Sequence, residues 1–501
     1  MLDPPHRQME IGGPGTLMSY WTPGAPSRVC RVLDPVGPRA RAPEVISDQV
    51  KEGACDRRVA HSGVSAKVRA MSGASRKLRV IHFGSGGGKG VTRIVANLAI
   101  GHSARGCFDT LVVFRRKRGR ALGTAFQRDL AFAGVGWREV VPRPKLRTVA
   151  ELRNIIRVFR PDVFVAHGYC EHIWGRFAAL AEAVPVVMHV EHAHEHYSLL
   201  NRWRSRRLAR RTDAIVGVSE GVKARLVELG LPRDRLSIIY NGIQLQQYVE
   251  PPPPPCAQRE AAIVMVARFA SSKDHATLIR AVALLRQRGM DVRTRLVGDG
   301  KRLSRLKAHW WCWRLGVTDL VDFLGPRNNV STLFRQHRVA VLSTHSEGFG
   351  LAVAESMAAG CAVVASRVCG VEELIEHNRT GWLATPLDPG ALADGIAAAL
   401  GPAGERWAAA CAPIARARFG LDRMTEDYER LIEHLVRSKA RAVVASTAAL
   451  RGVPRLAPEM SGGEALQIDG VAAHRAHDPL GVEQREVAAG RQRMEAIDVD
   501  T

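Results

Sequence analysis

The sequence lacks the features that tie a chain to a bilayer span or to an oxidising compartment. No stretch approaches the roughly 18 to 20 consecutive apolar residues that cross a membrane. The opening Met1-Leu2-Asp3-Pro4-Pro5-His6-Arg7 has no apolar signal-peptide core. Its nine cysteines are an odd number with no C-x-x-C pair, which argues against a disulfide framework or a zinc site and fits a reducing compartment. Acidic residues are few beside basic ones, 49 against 72, leaving a net charge of +23. No helix-turn-helix, zinc-finger or RNP signature accompanies that charge, so nucleic acid is not the expected partner. The expected location is the cytoplasm, with an anionic membrane surface as the partner that the basic patches would meet.

At 501 residues the chain exceeds one ordinary core, and two domains with tails are expected. An apolar fraction of 46% with 24% charged residues is that of a globular protein. Two clusters concentrate the positive charge: Arg115-Arg116-Lys117-Arg118-Gly119-Arg120, and Arg202-Trp203-Arg204-Ser205-Arg206-Arg207-Leu208-Ala209-Arg210-Arg211. The second reads as a basic helix with Trp203 and Leu208 as apolar anchors on an anionic lipid surface; solvated Arg-rich faces are the plainer alternative. Residues 1–76 have scattered Pro and Gly without periodicity and read as a disordered extension, with Met71 as an alternative start of translation.

From Leu78 strands and helices alternate. Leu78-Arg79-Val80-Ile81-His82-Phe83 reads as a strand, Gly84 to Gly90 as a loop, and Val91 to about Ser103 as a helix with Ile94, Val95, Leu98 and Ala99 on one face. The loop fails as a phosphate-binding P-loop, because Gly88-Lys89 is followed by Gly90 and not by Ser or Thr. Further strands at 110–114, 162–166, 185–188 and 214–218 imply a parallel doubly wound sheet over 77–250, whose ligands sit beyond the strand carboxyl ends. His167, His189, His192, His194 and His196 cluster near such ends. Pro251-Pro252-Pro253-Pro254-Pro255 forms a stiff linker over 251–257. A second α/β domain is expected over 258–402, helices over 403–440 that return to the first domain, and a disordered tail over 441–501.

In the second domain Arg268 and Lys273 lie five residues apart on a loop leaving the strand Ala262–Ala267, a place suited to gripping a diphosphate. The Pro326-Arg327-Asn328 loop leaves the next strand at the same end of the sheet. Ser346-Glu347-Gly348-Phe349-Gly350-Leu351 then leads from a strand into an apolar helix that carries Glu355. Backbone N–H groups at Gly348, Phe349, Gly350 and Leu351 would aim at an anion, with Glu347 in the loop and Glu355 about two turns along the helix.

This segment, with seven residues between its two glutamates, resembles the E-x₇-E signature of the family 4 retaining glycosyltransferases. The resemblance runs from about Leu78 to Val436. It implies a GT-B fold, two Rossmann-like doubly wound domains facing a central cleft, and a nucleotide-sugar co-substrate with no cofactor and no essential metal. It implies that Arg268 and Lys273 neutralise the leaving diphosphate, that Glu355 binds ribose hydroxyls, and that Glu347 holds the sugar. Val190-Glu191-His192 resembles the segment whose histidine contacts the donor sugar. Gly90, followed by Arg93, is the best match to the glycine pair that lets donor and acceptor approach; Lys89 stands where the family usually has its first glycine. The expected activity is sugar transfer to a glycan or lipid-linked acceptor in bacterial surface polysaccharide or lipopolysaccharide assembly. A GT-B sugar-nucleotide epimerase and a non-catalytic basic binding protein remain the alternatives. Two-carboxylate glycoside hydrolysis would need an acid and a nucleophile about 5 Å apart and has no use for phosphate-gripping cations.

Overall fold

A computed structural model of the protein describes residues 76–87, 90–106, 108–116, 123–194 and 197–450. All of the expected N-terminal extension but Arg76, Met71 included, most of the Arg115–Arg120 cluster, His196 and the end of the expected tail lie outside these residues; Arg76 itself pairs with Asp162 at 2.7 Å.

Two parallel sheets organise the chain. The first comprises β1 (Leu78–Ser85), β2 (Phe108–Arg115), β3 (Gly136–Val140), β4 (Val163–His167), β5 (Val186–Glu191), β6 (Ala214–Gly217) and β7 (Leu236–Ile238), in the order β3-β2-β1-β4-β5-β6-β7. The second comprises β8 (Glu260–Val266), β9 (Thr294–Val297), β10 (Val321–Gly325), β11 (His337–Leu342), β12 (Ala362–Ser366) and β13 (Trp382–Ala384), in the order β10-β9-β8-β11-β12-β13. Helices cover both faces of such sheets, so their strands bury side chains on both sides and read as unbroken apolar runs. Val80, Ile81, Val163, Phe164, Val186, Ile263 and Val364 are all fully buried. β3 was not legible, since Trp137-Arg138-Glu139 gives an edge strand with only Val140 buried.

Each sheet reverses its strand order once, between β1 and β4 and between β8 and β11. At such a reversal the connections leave to opposite sides and open a crevice beyond the strand ends. Both crevices are furnished with polar side chains.

The C-terminal helices divide differently from expectation. Pro402–Arg418 does not return to the first sheet; it packs on the helix Leu351–Ala358 and on β12, burying Trp407, Cys411 and Ala415. Only Leu421–Leu450 crosses back, placing Met424, Tyr428, Ile432, Val436 and Ala440 in the core at every fourth position. Arg105 bonds its Glu429 at 2.9 Å, and Lys439 pairs with Asp213 at 2.7 Å. The helix therefore runs through residues 441–450, which the sequence reading assigned to a disordered tail.

Candidate active site

The second-sheet crevice is built from the loops after β8 and β11. Arg268 leaves β8 exposed. Its loop is held by the turn after β9: Phe269 N–H donates to Asp299 O at 2.9 Å and Lys301 N–H to Phe269 O at 2.8 Å. Gly298 sits at φ 150°, and a Cβ there would stand 2.1 Å from the Ala267 carbonyl oxygen, so that close approach requires glycine. Lys273 ends the loop. Asp274 beside it caps the helix His275–Gln287, accepting from Thr277 N–H at 3.1 Å. The Lys273 ammonium donates to the Glu347 carboxylate and lies 3.4 Å from Thr344 Oγ1. Arg327 is exposed and makes no side-chain hydrogen bond or ion pair among the described residues.

Gly350, at φ 89°, opens the helix Leu351–Ala358. Its carbonyl takes the N–H groups of Val353 and Ala354, so those ahead of them project from the helix end, where its dipole favours an anion. Phe349 contributes backbone only, because its ring is buried against Tyr240 and Phe419. Glu355 is the fifth helical residue, little more than one turn in and not two. It is 6% exposed and pairs with Arg93 of the first-sheet helix Val91–Ala104 at 3.5 Å. Burial pushes its carboxyl above the usual range, opposed by the Arg93 charge and a hydrogen bond from Tyr248.

The first-sheet crevice is lined with imidazoles. His192 follows β5, 9% exposed, with Nε2 3.1 Å from His167 Nδ1 and Nδ1 unpartnered among the described residues. Behind it Tyr197 donates to Glu191 at 2.6 Å, while Glu191 accepts the His192 N–H at 3.2 Å. Burial raises the Glu191 carboxyl to about 7. His172, His189 and Glu191 bring ligand atoms within 4.8 Å of one another, yet both nitrogens of His172 are engaged, one by the fully buried Arg176 at 2.7 Å and one by Tyr197 at 2.7 Å. A guanidinium in that position disfavours a second cation.

The two crevices meet. A Cβ on Gly348 would stand 2.1 Å from the His192 carbonyl oxygen, which puts the Glu347 loop directly against His192. Gly90, exposed at φ 46°, precedes the helix that sends Arg93 to Glu355. Glu373 reaches the opposite wall, accepting from the Glu220 and Gly221 N–H groups at 2.8 and 2.9 Å at the start of the helix Glu220–Glu228. Of the residues singled out from sequence, Lys273 joins Glu347 and Gly348 joins His192, whereas Arg268 and Arg327 are exposed and have no side-chain partner among the described residues. Sequence reasoning missed Tyr248 and Thr344, neither of which sits in a recognisable motif. Arg93 alone was signalled, by the glycine before it.

Two facing doubly wound sheets, with cations, a helix end and carboxylates on one wall of the cleft and histidines on the other, define the GT-B class. The chain belongs to the glycosyltransferases: residues 88–247 match the family model Glycosyltransferase Family 4, and residues 260–401 match Glycosyl transferases group 1. It is 28% identical over 271 residues to the putative colanic acid biosynthesis glycosyltransferase WcaL of Escherichia coli K12, covering 50% of this chain and 66% of that protein. It is 30% identical over 253 residues to D-inositol 3-phosphate glycosyltransferase 2 of Catenulispora acidiphila, covering 47% of this chain and 55% of that one. The chain thus spans between about half and two thirds of the length of these curated relatives. Among solved structures, HepE of Anabaena in complex with UDP and glucose superposes with a TM-score of 0.62 at 22% identity, over 71% of this chain and all of that one. At that identity the likeness shows the fold.

Proposed function

We propose that the protein is a retaining glycosyltransferase that moves a sugar from a nucleotide-sugar donor to a glycan or lipid-linked acceptor in bacterial surface polysaccharide or lipopolysaccharide biosynthesis. The observation that carries this reading is the junction at Gly348, where the Lys273–Glu347 pair and the open end of the helix Leu351–Ala358 abut His192 across the cleft. The donor diphosphate lies on that helix end, with Arg268 and Lys273 meeting its charge as it grows on the leaving group. Lys273 is already oriented by Glu347 and Thr344, so the phosphate enters a preformed pair. Glu347 then accepts from sugar hydroxyls, and Glu355 exchanges Arg93 and Tyr248 for the ribose hydroxyls. His192 meets the sugar from the opposite wall. Retention follows from attack of the acceptor hydroxyl on the leaving-group face, with a phosphate oxygen taking its proton. On this reading two cations and a helix end supply the positive charge, and no metal is needed. A relative named for colanic acid biosynthesis, and another of Erwinia amylovora named for amylovoran biosynthesis, favour a surface glycan as product. A screen of nucleoside diphosphate release across UDP-, GDP- and ADP-sugars with acceptor extracts tests the assignment; silence with every donor overturns it.

The lipid side of the reading rests on exposed apolar side chains set among arginines. Leu199, Leu200 and Trp203 project from the helix Leu199–Ala209 at 85, 55 and 58% exposure, beside Arg202, Arg206 and Arg207. The helix Arg302–Arg314 repeats the pattern: it buries Ala308 and Cys312 while leaving Leu303, Leu306, Trp310 and Trp313 exposed. Such faces suit an anionic bilayer surface, and among the described residues no helix is long and apolar enough to cross one. Cosedimentation with phosphatidylglycerol vesicles but not with neutral ones is expected, and Trp203→Ser should weaken it.

A further inference from the structure

A line of buried polar side chains runs behind the turn that carries His192. It starts at Arg176, fully buried on the helix Tyr169–Ala181, whose Nη2 donates to His172 Nδ1 at 2.7 Å. His172 Nε2 lies 2.7 Å from the Tyr197 hydroxyl, and that hydroxyl donates to Glu191 Oε2 at 2.6 Å. Glu191 Oε1 then accepts the His192 N–H at 3.2 Å, and the Ala193 N–H bonds to the same carboxylate. From the other side Gly348 abuts the turn so closely that a Cβ there would stand 3.0 Å from Ala193 Cα.

A guanidinium has only donors to offer, so His172 Nδ1 must accept. Burial keeps His172 uncharged, well below the usual imidazole range. Its one proton therefore sits on Nε2 and goes to the Tyr197 oxygen, which leaves the Tyr197 proton for Glu191. Every bond in the line thus points one way, and no proton has to move along it. Arg176 is itself fixed: Nε donates to His172 O at 2.9 Å, Nη1 to Thr212 Oγ1 at 3.0 Å, and Nη2 also to Ser205 Oγ at 3.3 Å. The Tyr197 ring is held edge-on by Tyr169, 4.7 Å away between centroids.

We propose that Glu191, Tyr197, His172 and Arg176 are positioning residues that set the His192–Ala193 turn against Gly348 and so place His192 for the sugar. They act through the backbone N–H groups of that turn. The ionised Glu191 carboxylate is the form that accepts all three bonds made to it. Burial raises it to about 7, opposed first by the Tyr197 hydrogen bond. The other groups that face it are the Arg176 charge and His189, uncharged by burial, whose Nε2 lies 3.6 Å from Oε2 without a hydrogen-bond partner among the described residues. The effect on turnover rests on the transferase reading; the direction of the bonds does not.

Tyr197→Phe deletes one hydroxyl and keeps the ring. In the donor-release assay it should lower kcat by about tenfold with KM for the donor within about twofold, since Lys273 and the helix end that grip the diphosphate are untouched. The unaltered protein should lose kcat as pH falls through about 7; Tyr197→Phe should move that limb to higher pH, and Glu191→Gln should abolish it. An unchanged kcat or an unmoved limb in folded Tyr197→Phe overturns the proposal, and if that variant does not fold, a limb that persists in Glu191→Gln overturns it instead. Long-range ¹H–¹⁵N spectra of the full chain labelled at histidine should find the His172 proton on Nε2, and a proton on Nδ1 overturns the line. If no donor is turned over by the unaltered protein, the transferase reading fails while the line stands or falls on the His172 tautomer.

Discussion

The two walls of the cleft solve the same problem with opposite electrostatics. The second-sheet wall holds its charges as pairs: Lys273 with Glu347, and the buried Glu355 with an Arg93 supplied from across the cleft. The first-sheet wall instead keeps its imidazoles neutral by depth; His82, His167, His172 and His189 are fully buried. Paired charges can be handed to an incoming anion at little desolvation cost, whereas neutral imidazoles can direct a hydrogen bond without competing for that anion. On the proposed reading the diphosphate falls to the second-sheet wall and the sugar is met from both, so the two halves work only in contact.

Breaking the charged wall should have the largest effect. Lys273→Ala or Glu355→Ala is expected to reduce nucleoside diphosphate release by about 100-fold or more, while a non-catalytic binding protein would tolerate both. The neutral wall should instead reveal itself in acid. A histidine whose folded pKa is depressed contributes stability that is present above its ordinary pKa and lost as pH falls toward the folded value. Each buried ring then adds up to about 1.4 kcal/mol per pH unit, and the window runs from near 6.5 down to about 3 for His82 and His192. Thermal melts between pH 8 and pH 4 should show a steep acid loss that His82→Leu makes shallower. Glu191 works in the other sense: its raised carboxyl stabilises below the ordinary carboxylate range, and that contribution is lost as pH rises through about 7. Glu191→Gln should flatten the neutral side of the same profile.

Contacts that join the walls sharpen the comparison further. Gly348→Ala places a Cβ against the His192 carbonyl and should cost about 1 to 3 kcal/mol through displaced backbone, read as a lowered melting temperature together with a raised donor KM. Glu373→Ala removes the carboxylate that caps Glu220–Glu228 from the opposite half. The expected loss is about 1 kcal/mol, and a cap that leaves the melting temperature unchanged would show that the two halves do not depend on it.

Much of this architecture was legible because its signals are local. Apolar runs such as Val163-Phe164-Val165-Ala166 announce strands buried on both faces, and Ser219 ahead of the helix Glu220–Glu228 accepts the Val222 N–H at 3.1 Å, as a serine at a helix start does. The glutamate spacing was legible for the same reason, as a loop and one turn of helix. Arg268 and Arg327 were equally visible, but a sequence cannot say what stands opposite an exposed cation, and among the described residues nothing does. The return of Pro402–Arg418 to the second sheet was misjudged because an amphipathic helix records that it has a buried face and not which sheet receives it.

The sequence by itself determined the strands, the helix ends and the glycines that let the cleft loops approach, since these depend on neighbours a few residues away. Only the tertiary structure decided the pairings. Arg93 meets Glu355, Glu373 caps Glu220, and His102 joins His82, His167 and His192 from segments separated by 20, 85 and 25 residues along the three links. The reversal of strand order in each sheet brings those segments to one crevice, and burial there fixes which groups keep their charge.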